Sequence, residues 1–276
     1  TTVGGVARNR IARINADGTL DAAFNPNANN IVYTLALEPD NQILVGWTFT
    51  NIAATARNRV ARLNANGTID AAFNPNANNT VWDIKLFSDG TIALGWAFTT
   101  IGGVARNRIA KVSAAWALDV AWNPNANGIV YTLLPLSDDS LVFGWAFTTI
   151  TAVARNRIAK VSSAWVLDTT FNPNASSTVQ IVIQKNDITI ALGWAFATVS
   201  GIAQARYAEL RGNTLDTEYN LSMNGTVWTV ATSTTDTSVI LWGQFTTISA
   251  KPMTRVARVN TGGYLESNFP DPIIDN

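Results

Sequence analysis

Residues 31–47 read IVYTLALEPDNQILVGW, two apolar stretches on either side of the turn EPDN. Apolar side chains alternate here and do not recur at helical spacing, which predicts two strands joined by a tight turn. The second strand with its exit, ILVGWTFTNI at 43–52, returns as IALGWAFTTI, LVFGWAFTTI, IALGWAFATV and VILWGQFTTI. Phe49, Phe98, Phe147, Phe196 and Phe245 mark the register, each 49 residues after the last. Arg10, Arg59, Arg108, Arg157, Arg206 and Arg255, opening an R-x-A motif, keep the same period.

A second hairpin accompanies the first in each unit: NRIARINADGTLDAAF reads as two strands around NADG. No unit holds ten consecutive residues with a helical stripe. Four short strands per repeat predict an all-β chain of β-propeller blades, each a four-stranded antiparallel sheet. The expected full blades are 31–73, 80–122, 129–171, 178–219 and 226–269, with residues 8–24 an extra outer hairpin. Five full blades in a single domain, 1–276, is the expectation, and a six-bladed parent is the alternative. A period this strict leaves no room for a linker.

Composition removes several function classes. The 19 Lys and Arg balance the 19 Asp and Glu, so no field favours nucleic acid or an anionic membrane. Cys and His are both absent, which excludes disulfides, thiolate chemistry, a His general base and the commonest metal ligand. No apolar run reaches the roughly 20 residues of a membrane span. The chain starts TTVGGVARNR, already inside a repeat, and is expected to be part of a longer protein.

Most recurrent residues have a structural reading. Arg13/Asp21, Arg62/Asp70, Lys111/Asp119, Lys160/Asp168 and Arg258/Glu266 lie eight apart about the hairpin turn, as cross-strand neighbours do. Such a pair contributes roughly 0.2–1 kcal/mol. Glu209 breaks the pattern where its turn shortens. The repeated Arg is read as scaffold, with an anion ring as the alternative. Phe24, Phe73, Trp122, Phe171, Tyr219 and Phe269 close each outer strand and are expected in the core. PDNQ, SDGT and SDDS resemble pieces of calcium loops but are too short for a coordination sphere, and read as turns.

The words ARNRIARINADGTLDAAFNPNAN and VYTLALEPDNQILVG resemble the delta-60 type bacterial repeat, a β-propeller repeat of unknown function. The resemblance covers almost the whole chain. It implies a propeller on a secreted or cell-surface bacterial protein and implies no catalytic residues. One departure stands out. Where that repeat has a Gly pair before Phe, this chain has Gly-Trp at Trp47, Trp96, Trp145 and Trp194, and Trp242 ahead of Gly243. The turn Gly of Gly18, Gly67 and Gly263 becomes Trp116 and Trp165. These seven indoles are expected to stand where the repeat needs glycine, for positive φ or close approach. Genuine aromatic surface and engineering are the alternatives to glycine codons read as Trp.

No catalytic set, metal cluster or phosphate loop emerges, and no cofactor is implied. The expected recognition element is the polar loop FNPNANN between units, where Asn27, Asn76, Asn125 and Asn174 form an arc on one rim. Their amides both donate and accept, which suits a protein or glycan partner. Asn-Pro-Asn is also good turn chemistry. The expected role is a non-enzymatic adhesion or binding scaffold. A lectin-like binder with one site per blade is the alternative, and a hydrolase using channel acids ranks behind both.

Overall fold

In the computed structural model, residues 2–233, 236, 238–253 and 255–266 are described. All regular structure among them is β-strand, and the ladders are antiparallel. No helix is long and apolar enough to cross a membrane. The chain divides into two compact units, Thr1–Tyr131 and Thr132–Asn276.

The first unit holds two three-stranded sheets. In one, Val32–Leu37 pairs with Ile43–Trp47, which pairs with Val60–Leu63. The other repeats it with Val81–Leu86, Ile92–Trp96 and Ile109–Val112. The turns between first and second strands are Asx turns: Asp40 Oδ1 accepts the Gln42 N–H at 3.0 Å, and Asp89 Oδ1 accepts that of Thr91 at 2.8 Å. The calcium-loop fragments are therefore turns, and Asn41 and Gly90 supply their left-handed residue at φ 67° and 77°. Leu44, Val60, Phe73, Ile84, Leu94, Phe98 and Val112 share one buried cluster, and Ile11, Phe24, Val45, Phe49 and Leu63 form its neighbour.

The second unit contains sheets built on Leu141–Trp145 with Ile158–Val161, on Val179–Asn186 with Thr189–Trp194 and Tyr207–Arg211, and on Val227–Thr232 with Val239–Gly243 and Val256–Val259. The first of these also takes Val130–Pro135, the strand in which the division falls. Each hydrophobic cluster again joins the strands of successive repeats.

Two details depart from the sequence reading. The expected fourth strand is a ladder only at Thr214–Leu215, among the described residues. Elsewhere it shrinks to one bridge, as in Leu63↔Ile69 and Val112↔Leu118. An Asx turn ends the strand just past that pair: Asp70 Oδ1 accepts the Ala72 N–H at 2.9 Å, Asp119 Oδ1 those of Ala121 and Trp122 at 3.1 and 3.2 Å, and Asp216 Oδ1 that of Glu218 at 3.1 Å, while the second pair at Thr214–Leu215 comes from the shorter turn at Gly212–Asn213. That Asx turn bends the chain off the sheet at the outer end.

The second departure is a two-residue hairpin between the second and third strands, such as Asn51–Ile52 with Thr55–Ala56 and Thr149–Ile150 with Val153–Ala154. Both of its turn residues have positive φ, 49° and 57° at Ala53 and Ala54, as a type I′ turn requires.

The expected core aromatics Phe24, Phe73, Trp122, Phe171 and Tyr219 are buried. Phe269 lies outside the described residues.

Candidate functional site

The repeated Arg residues belong to the scaffold. Arg59 Nη1 reaches the Phe49 carbonyl at 3.4 Å, and Arg108 Nη1 the Ala126 carbonyl at 3.1 Å. The neighbouring column Arg8, Arg57, Arg106 and Arg155 is buried outright. Arg57 donates to the carbonyls of Phe73 at 3.1 Å, Ala71 at 2.9 Å and Ala56 at 2.8 Å. These guanidinium groups saturate the carbonyls of the loop that closes each unit.

The acids are committed in a similar way. Asp21 and Asp70 meet Arg13 and Arg62 at 2.7 Å, and Glu266 meets Arg258 at 3.3 Å. At every such position the acid's N–H bonds the basic residue's carbonyl, 2.9 Å for Asp119 to Lys111 and for Asp168 to Lys160, so the cross-strand register holds throughout. Lys111 itself reaches Asp89 at 3.8 Å. Burial pushes the Asp70 carboxyl up, but the Arg62 hydrogen bond and the Ala72 N–H outweigh it and hold the group below its ordinary 3.8.

Glu209, the exception, is the centre of a buried group. Its two oxygens accept from Lys185 Nζ at 2.8 and 3.0 Å, and Oε1 also accepts the Tyr207 hydroxyl at 2.5 Å. The Lys185 ammonium lies 4.4 Å from the centre of the Tyr219 ring. Burial, then the Glu209 charge, pushes the Tyr207 phenol well up. The sequence held the signal: at the 49-residue offset Lys185 occupies the column of Glu38 and Glu209 that of Arg62. Glu38 and Arg62 also pair, at 3.5 Å, so the fourth full repeat keeps the bridge with its charges exchanged. Among the described residues no group of three or more Asp, Glu, His or Cys is placed to hold a metal.

Asn27, Asn76, Asn125 and Asn174 are exposed turn residues at φ 53°, 50°, 47° and 50°. Each Oδ1 accepts an amide N–H from the Asn eighteen residues earlier: Asn9 at 2.5 Å, Asn58 at 2.8 Å, Asn107 at 2.7 Å and Asn156 at 2.7 Å. The carbonyl oxygen of each exposed amide is thus used by the turn. Asn27, Asn76 and Asn125 recur on equivalent turns of the first unit, and Asn174 does so in the second. The partner Asn of the ARNR word went unread in sequence because nothing local links it to the loop.

The same loop leads to a second set of side chains. Asn29 Oδ1 accepts the N–H groups of Thr50 and Asn51 at 2.9 and 3.0 Å, tying the loop to the exit of the second strand. There the first strand bulges: Val32 pairs with Trp47 and Thr34 with Gly46, so Tyr33 is the extra residue. Trp82 and Tyr131 repeat Tyr33 at 49-residue steps. Ring centres of Tyr33 and Trp82 lie 4.0 Å apart, and those of Trp82 and Tyr131 4.4 Å. Trp47 and Trp96 fill the space between, 4.1 and 4.8 Å from Trp82. The first unit therefore carries a partly exposed run of rings at the loop end of its sheets.

The seven indoles in glycine positions divide by backbone. Trp47, Trp96, Trp145 and Trp194 have φ of 153°, 152°, 156° and 143°, and Trp116 and Trp165 both have φ 66°. Gly18, Gly67 and Gly263 hold the latter turn position at 84°, 86° and 83°. Six of the seven thus adopt the left-handed half of conformational space that favours glycine. Trp242 sits in the column of Gly46, where a Cβ would lie 2.7 Å from Thr34 Cγ2. Its neighbour Gly243, in the Trp47 column, leaves no room for a side chain: a Cβ there collides with the Thr226 carbonyl.

Comparison with known proteins agrees with this architecture. The family described as domain of unknown function (DUF5122) beta-propeller matches residues 1–24 and 38–73, so the chain carries that repeat there, as the resemblance implied. No curated protein matches. Among solved structures, the virginiamycin B lyase of Staphylococcus aureus is similar at 18% identity and a TM-score of 0.54, over 94% of this chain and 76% of that one. A streptogramin B lyase structure is similar at 14% identity and a TM-score of 0.50, over 94% of this chain and 75% of that one. At such identities the likeness is one of fold alone.

Proposed function

We propose that this protein is a non-enzymatic binding module of the β-propeller type, with five full blades and one further outer hairpin, that recognises carbohydrate along the loop end of its sheets. One observation carries the reading: Tyr33, Trp82 and Tyr131 form a run of rings at the repeat spacing, each six residues after an exposed loop Asn, Asn27, Asn76 or Asn125. Aromatic faces stack on the apolar face of a sugar ring, while amide N–H groups bind its hydroxyls. A repeated shallow site gives weak single contacts and strong multivalent ones. The module belongs to a secreted or cell-surface bacterial protein, as its family resemblance implies. The lyase chemistry named for the two fold relatives is not carried over. Here the recurrent acids are spent on hairpin pairs and Asx turns.

A glycan array tests the proposal. Binding should be multivalent and fall at least tenfold when Asn27, Asn76, Asn125 and Asn174 all become Ala, and again when Tyr33 and Trp82 become Ala. Binding indifferent to both sets, or none to any glycan, sinks the carbohydrate reading.

A further inference from the structure

Residues 2–24 repeat the second half of a unit without its first half. Their two-residue hairpin, Thr2–Val3 with Val6–Ala7, and their closing turn align with 51–73 at the 49-residue offset. Elsewhere the third strand lies along a second strand, as Val60–Leu63 does along Ile43–Gly46. Residues 11–14 form no such ladder among the described residues, and Ile14 bridges Leu20 on its other side. Ile14 is 50% exposed, whereas Leu63, Val112, Val161, Leu210 and Val259 in its column are 0–1% exposed.

A second surface is open beside it. Leu35, on the first strand of the first sheet, is 56% exposed, while Ile84, Leu133, Val182 and Val230 in its column are 1–5% exposed. The covering element is visible where it exists: a Cβ at Gly46, on the preceding second strand, would lie 2.9 Å from Ile84 Cδ1. Gly193 stands in the same relation to Val230, at 3.4 Å. By that rule Leu35 requires a second strand whose own partner is the segment 11–14. The unpaired edge and the uncovered face are complementary to one element. Charge agrees, because Arg13 occupies the column of Arg62, which pairs with Glu38 at the end of a first strand.

We propose that the edge 11–14 and the face around Leu35 are the acceptor for one further inner hairpin of this repeat, the first and second strands of the unit that residues 2–24 complete. The hairpin places a glycine opposite Ile11, an apolar residue opposite Ile14 and an acid near Arg13. Main-chain bonding along the edge sets its register, and burial of Leu35 supplies the apolar contact.

The experiment grafts a copy of residues 31–49 directly ahead of Thr1, which keeps the 49-residue register. Amide exchange at 11–14 should slow at least tenfold, and the thermal midpoint should rise by on the order of 5 °C. Leu35→Lys should abolish that rise in the extended chain and leave the unextended chain unchanged. The same hairpin as a synthetic peptide, added to the unextended chain, should slow exchange at the same amides, which keeps the test decisive if the graft misfolds. Free exchange at 11–14 in both arrangements overturns the proposal. So does protection already present in the unextended chain, whether at high dilution, where another part of the chain fills the site, or only on self-association, where a second copy does.

Discussion

Trp165 stands in the turn that closes the hairpin of its repeat, its N–H bonded to the Ser162 carbonyl at 2.8 Å and its φ held at 66°. A β-substituted residue in that region costs about 1–3 kcal/mol, against the roughly 0.5–1 kcal/mol of chain entropy that glycine forfeits. Trp165→Gly is therefore expected to stabilise the protein by about 1 kcal/mol. Replacing Trp47, Trp96, Trp145 and Trp194 together should raise the thermal midpoint further. It should also uncover the faces of Tyr33, Trp82 and Tyr131 that the indoles now occupy. Thermal unfolding of the single and quadruple variants checks this, and a fall in midpoint for both would mean that indole packing outweighs the backbone.

Among the elements, the strand pair carrying Lys185 and Glu209 is expected to be sensitive to substitution. Both side chains are buried, so removing one partner strands the other's charge, a loss of about 3–5 kcal/mol. Lys185→Met is expected to show that loss in chemical denaturation. The double variant Lys185→Glu with Glu209→Arg, which restores the charge order of Glu38 and Arg62, should recover most of it. Equal destabilisation of the single and double variants would mean that Tyr207 and Tyr219 demand the present polarity. At this scale the sequence spoke unevenly. First, second and third strands were legible because apolar alternation and an Asx turn mark each of them. The two-residue hairpins were not, because Ala53-Ala54 and Thr151-Ala152 are not the Asn-Gly that announces a type I′ turn. The fourth strand was overread: it is confined between an Asx turn such as that at Asp70 and a hairpin turn such as Asn64–Thr68, and only the shorter turn at Gly212–Asn213 leaves room for a second pair.

Across the whole molecule the hairpin acids make stability depend on pH. Asp21 is held below 3.8 chiefly by the Arg13 hydrogen bond. For Asp89, Asp138 and Asp168 burial pushes upward, but hydrogen bonds from Thr91, Ser140 and Thr170 outweigh it. Their contribution is complete above the unfolded value near 3.8 and is lost as pH falls through the lower folded values. Glu38 has the opposite sign: burial raises it above 4.5 despite Arg62, so its ionisation weighs against folding, and this is relieved as pH falls. Unfolding free energy should thus hold or rise slightly on mild acidification and then drop below pH 3.8, with the rise absent in Glu38→Gln. Denaturant titrations across that range check it, and a decline beginning near neutrality would contradict it. The candidate site was legible only as loops. Periodicity placed Asn27, Asn76, Asn125 and Asn174 on equivalent turns. The ring at Tyr33 lay hidden because a bulge, which no residue type announces, turns it outward.

The exchanged charges of Lys185 and Glu209 bear on how near-identical hairpins find their own partners. A chain that repeats one pattern five times invites pairing between the wrong copies, the usual failure of tandem folds. Were the strand carrying Lys185 to seat beside the strand carrying Arg62, two cations would be buried together, and Glu38 opposite Glu209 would bury two anions. One inverted bridge thus labels the fourth full repeat as different from the first and closes off a set of misassembled states while leaving the native ladder unchanged.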